Sequence, residues 1–175
     1  EGKGGNIDIT AGSLSVTNGA RLNVSTSGQG DAGSVNIHAG STVSFDGLNS
    51  GAFSNVNPSA IGNSGGINIT TGSLYVTNRA TLYANTSRGG KGNPGSVNIR
   101  AGSTVSFDRG SAFSSVERGA SGNSGGIYIT TGELTMKNGA QLNASNSGKG
   151  NAGSVNIDAR SMVSFDGVGS KALSN

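Results

Sequence analysis

The 175-residue chain has no cysteine, no tryptophan, only two prolines and only 12% charged residues. Without cysteine there is neither a disulfide framework nor a thiolate-ligated metal site. No apolar run approaches the roughly 20 residues of a membrane-spanning helix, and the opening EGKGGNID lacks the apolar segment of a secretory signal. If the parent protein is exported, its targeting sequence is expected outside this stretch. Apolar residues are also scarce, at 32%. Disordered chains pair low hydrophobicity with high net charge. Here the net charge is only +3, from 12 basic and 9 acidic residues, and the apolar residues are patterned. Basic residues such as Arg21, Arg88, Arg100 and Lys137 read as scattered. A nucleic-acid partner would need a basic stripe with interleaved aromatics, so none is expected. What is abundant is glycine, 32 of 175 residues, against an average of about 7%. With Ser, Thr and Asn it disfavours long helices.

Some of that glycine mimics a cofactor signature. GQGDAG (28–33), GKGNPG (90–95) and GKGNAG (148–153) all fit the spacing of a dinucleotide-binding loop. That motif holds pyrophosphate at the N-terminus of the helix directly after it. Here the loops lead instead into SVNIHAG, SVNIRAG and SVNIDAR, where Val35/Ile37, Val97/Ile99 and Val155/Ile157 alternate with polar residues. A period of two is a strand. The loops are turns, and no cofactor is expected.

The chain is an internal repeat, which decides the architecture. IDITAGSLSVTNGARLNVSTS from Ile7 aligns with INITTGSLYVTNRATLYANTS from Ile67 and IYITTGELTMKNGAQLNASNS from Ile127. The intervening GSVNIHAGSTVSFDG, GSVNIRAGSTVSFDR and GSVNIDARSMVSFDG begin at Gly33, Gly95 and Gly153, the extra residues of RGGKGNP falling in a turn. Three repeats are expected at about 5–64, 65–124 and 125–175. Each splits into two similar halves, with apolar pairs Ile7/Ile9, Leu14/Val16 and Leu22/Val24 in the first. The second has Val35/Ile37, Val43/Phe45 and Ala52 with Val56. One half is one coil of three short strands, so the fold class is all-β. The expectation is a right-handed parallel β-helix of about six coils, stacked about 4.8 Å apart. An antiparallel all-β fold uses the same alternation but lacks the three-strand beat.

The phrases TGSLxVTNGAxLxASTSGxGNAGSVNI and VSFDGxxSxAFSxVExGAxGNSGGI resemble the repeats of large secreted cyanobacterial proteins similar to filamentous haemagglutinin, of the two-partner-secretion type. The resemblance spans essentially the whole chain. It implies a long β-helical shaft, exported through an outer-membrane partner, that serves adhesion, surface coating or a passive stalk. It implies a secreted, cell-surface location, with surface glycans or other cells as partners. The secretion domain of such exoproteins is not in this stretch. SKALSN (170–175) echoes SGAFSN (50–55) in mid-coil, so the chain is expected to belong to a longer array.

Catalysis is not expected. Asp8, Asp31, Glu117, Glu133 and Asp158 fall at different places in the repeat, and glycoside hydrolysis needs two facing carboxylates. Asp46, Asp108 and Asp166 do recur, but only in alternate coils, about 9.6 Å apart, too wide to share calcium. They read as corner residues bonding their own backbone. His38 aligns with Arg100 and Asp158, which marks a solvated rim. No serine has a His and an acid at hand. Tyr75, Tyr83 and Tyr128 read as outward, on different strands, with no common platform. An alternative function is an ice- or carbohydrate-binding β-helix. Thr10, Thr70 and Thr130 align, flanked by Thr71 and Thr131, but His38 and Arg100 interrupt the array.

Phe53, Phe113 and Leu173 leave two readings. In step with ARLNVS they point outward as an apolar row for lateral contact. The favoured reading is a bulge that turns each Phe into the core. Unpaired strand edges at the ends of the stack make end-to-end self-association a further expectation.

Overall fold

The computed structural model describes residues 2–175. They form two six-stranded parallel sheets wound into one solenoid of six coils. The long strands are β1 (Ile7–Thr17), β3 (Val35–Asp46), β5 (Ile67–Thr77), β7 (Val97–Asp108), β9 (Ile127–Lys137) and β11 (Val155–Asp166). The short ones are β2 (Arg21–Asn23), β4 (Gly51–Phe53), β6 (Thr81–Tyr83), β8 (Ser111–Phe113), β10 (Gln141–Asn143) and β12 (Lys171–Leu173). The sheets run β1-β3-β5-β7-β9-β11 and β2-β4-β6-β8-β10-β12, so each coil pairs only with the coils before and after it.

The first two of the three expected strands are one strand with a bend. Ala11 pairs with Ala39 and Ser13 with Thr42, so Gly12 faces two residues of β3. Similar register shifts recur at every long-strand pairing. A bulge bends a strand without ending its ladder, and the glycine there reads in sequence as a turn. The third strand continues past its three residues as single bridges, Thr26↔Val56↔Thr86↔Val116↔Asn146.

Side chains that point inward stack into columns along the axis. Ile9, Ile37, Ile69, Ile99 and Ile129 form one, with Ile157 continuing it in the last coil. Other columns alternate by coil. Val16, Phe45, Val76, Phe107 and Met136 succeed one another in register. Across the interior runs Leu22, Ala52, Leu82, Ala112 and Leu142. A coil that places Phe in the first column places Ala in the second, and a Val or Met coil places Leu. Interior volume is thereby held nearly constant, as close packing requires. This is why the true repeat is two coils rather than one. Phe45, Phe107, Leu82 and Leu142 are fully buried.

The Gly-rich loops are explained by backbone approach. Gly30, Gly62, Gly92, Gly122 and Gly150 form a column in which a Cβ would lie 1.9–2.1 Å from the carbonyl oxygen of the preceding glycine. No side chain fits there, so every coil repeats the glycine whatever surrounds it.

Candidate functional site

The outward face of the short-strand sheet carries one row of interest. Asn23, Phe53, Tyr83, Phe113, Asn143 and Leu173 are successive partners along it. The favoured inward bulge for Phe53 and Phe113 does not form: register is unbroken from Arg21↔Gly51 to Asn23↔Phe53. Ala52 and Ser54 occupy the interior on either side. Both Phe residues are half-buried on the outside. Inward space is already committed, because Phe45 fills the same coil. The inward hydroxyl of Ser54 donates to the Gly33 carbonyl at 2.7 Å and accepts from the Gly66 amide.

Tyr83 belongs to this row, which sequence reasoning missed. Reading ATLYANTS in step with GAFSNV would have put Tyr83 between the two Phe residues. The rings lie 6.3 Å (Phe53–Tyr83) and 5.3 Å (Tyr83–Phe113) apart, tilted by 45° and 60°. The Arg21 guanidinium sits 4.4 Å over Phe53. The rings engage one another and Arg21 along the axis, so the row acts first as a cross-strand ladder. Leu173 stands apart from it, separated by Asn143. Burial and the Glu117 carboxylate, which accepts the Tyr83 hydroxyl at 3.0 Å, push the Tyr83 phenol up to about 12. Tyr75 and Tyr128 lie elsewhere, on the long-strand sheet, each 39% exposed.

The recurring aspartates lie at the corner between long and short strands. Asp46 does not bond its own backbone as expected. Its Oδ1 accepts from Thr77 Oγ1 at 2.5 Å and Asn78 Nδ2 at 2.7 Å, both in the next coil. These bonds hold its carboxyl below the usual carboxylate range. Asp108 accepts from Asn138 Nδ2 at 2.9 Å and lies 3.6 Å from Arg109 Nε, the one salt bridge among the described residues. Arg109 also donates to Asn78 Oδ1 at 2.8 Å. Asp46 and Asp108 thus rivet one coil to the next.

Amide ladders do the same elsewhere. Asn36, Asn68 and Asn98 each donate to the preceding member of a chain that starts at Asp8, at 2.7–2.8 Å. The rim column is Thr10, His38, Thr70, Arg100, Thr130 and Asp158. Its threonines are thus interleaved with larger side chains, as read from the sequence. Thr71 and Thr131 are not beside them on the surface. They are buried at the strand bend, where their hydroxyls donate to Ser41 and Ser103 carbonyls.

The reading of scattered basic residues needs correction. Coils are about 30 residues apart, so residues distant in sequence meet in space. Arg88 and Arg118 occupy equivalent positions on adjacent coils, where Gly89 donates to the Gly119 carbonyl. Lys91 and Lys149 flank Ser121 in one bridge column. All four are exposed on one corner. In comparisons with protein-family models, curated proteins and solved structures, nothing matches this chain.

Proposed function

We propose that this chain is a structural shaft segment of a secreted, cell-surface exoprotein, adhesive or filament-forming, without catalysis of its own. The observation that carries the reading is the sameness of successive coils. Each long strand pairs with the next along most of its length, and the same inward columns run from coil to coil. The resemblance to filamentous-haemagglutinin-like repeats supports the same reading, including export through an outer-membrane partner.

Antibodies against this segment, applied to intact cells that make the parent protein, provide the test. Labelling of the cell surface or of shed fibres is the expected result. Labelling only after the cells are permeabilised would overturn the secreted-shaft reading.

A further inference from the structure

The corner that carries Arg88, Lys91, Arg118 and Lys149 is charged beyond anything its own coils use. Among the described residues none of the four forms a salt bridge. Glu117 is the one acid in the corner turns of these coils, and it is occupied. Its Oε1 accepts the Tyr83 hydroxyl and its Oε2 accepts the Arg88 amide at 3.2 Å. Asp31 lies two coils below Lys91 and accepts from the Asn63 amide at 2.7 Å. The cations therefore face solvent outside any salt bridge, and with the Glu117 carboxylate beside Arg88 the four leave the corner a net charge of +3. They are placed at coil spacing, so Arg88 and Arg118 stand about 4.8 Å apart and Lys91 and Lys149 about 9.6 Å apart along the axis.

The bed between Lys91 and Lys149, beside the two arginines, is mostly glycine and serine. A depression of about 330 Å³ is lined by Gly89, Gly90, Lys91, Ser121, Gly148 and Lys149, among others. Glycines let a ligand's backbone come close, and the Ser121 and Ser147 hydroxyls supply small donors and acceptors. No aromatic ring lines the depression, and base stacking on such rings is what single-stranded nucleic acid requires.

We propose that this corner binds a linear acidic polysaccharide lying along the rod axis, its carboxylates or sulfates held by the four cations and its hydroxyls by the serine and glycine backbone. The inference goes beyond the shaft reading and does not depend on it. It adds a ligand class to a surface that the fold leaves unemployed.

The experiment is binding to immobilised polygalacturonate, heparin, neutral dextran and single-stranded DNA at about 50 mM salt, repeated at higher salt. The protein is compared with Arg88→Ser/Lys91→Ser/Arg118→Ser/Lys149→Ser. A control, Arg79→Ser/Arg100→Ser/Lys137→Ser/Lys171→Ser, has the same net charge. Melting temperatures check that both variants fold. The expected result is retention on one or both acidic glycans and not on dextran. The corner variant should lose at least about tenfold in affinity, and the control less than about twofold. Preference for polygalacturonate or heparin tells carboxylate from sulfate recognition. Equal losses in both variants, no retention on either acidic glycan, or DNA bound as tightly as glycan would each overturn the proposal.

Discussion

Two corners of the solenoid solve the same problem by different means. Where the long strand meets the short one, side chains hold the turn. Asp46 ties down Thr77 and Asn78, Asp108 ties down Asn138, and Arg109 reaches both Asp108 and Asn78. Gly47 there has room, since a Cβ on it would meet nothing closer than 3.8 Å, although one on Gly110 two coils on would lie 2.1 Å from the Val76 carbonyl oxygen. At the corner that holds Arg88 and Lys91, close backbone approach joins a ladder in which the Asn63, Asn93 and Asn123 side-chain oxygens accept the amides of Asn93, Asn123 and Asn151. A Cβ on Gly92 would lie 1.9 Å from the Gly62 carbonyl oxygen. The difference lies in which side chains are spent: the first corner engages its charged residues Asp46, Asp108 and Arg109, whereas the second is held by glycine and asparagine and leaves Arg88, Lys91, Arg118 and Lys149 outside any salt bridge. Free charge accumulates where the fold does not need charge.

Substitutions sharpen or break that contrast. Gly92→Ala forces a Cβ into backbone in the middle of the stack. It should cost on the order of 4 kcal/mol or abolish folding, as read by urea unfolding. Gly47→Ala has the space but keeps a positive φ of 94°, so about 1–2 kcal/mol is expected. If the two cost the same, the corners are not built differently. Asp46→Ala removes two hydrogen bonds from a partly exposed site and should cost about 1 kcal/mol or less. Its carboxyl is lowered in the folded state, so its contribution is present above the unfolded value of about 3.9. That contribution is lost as pH falls through the lower folded value. The stability difference between protein and variant should therefore vanish in acid, measured by urea midpoints across that range. Arg88→Ser with Arg118→Ser should change stability by less than about 0.5 kcal/mol. A larger loss would mean that these arginines serve the fold and are not free.

Much of this was legible in the sequence, because one coil admits little variation. The alternation of Ile7/Ile9 or Val97/Ile99, and the repeat that returns them every two coils, specify inward columns and a parallel stack. The join between the first two strands was not legible: Gly12 and Gly72 look like turn residues, and only the neighbouring ladder makes them bulges. Nor was the direction of Phe53, which depends on Phe45 having filled the same coil from the other side. Tyr83 and the four cations were hidden for one reason. Their neighbours lie about one coil away in sequence, and a scan for local clusters passes over them. The aspartates were placed at the right corner with the wrong partner, since coil-to-coil bonds outcompete local turns when the next coil presents Thr and Asn in register.

The shaft reading is tested most directly by joining two copies of the chain through Val-Asn-Pro-Ser-Ala, the segment 56–60 that spans the corresponding gap between coils. X-ray scattering in solution then measures length and cross-section. If each coil is a template for the next, the cross-section stays constant and the axial length doubles, from about 29 Å to about 58 Å at the coil spacing. Two separate bodies on a flexible joint would contradict the claim that each coil is a template for the next.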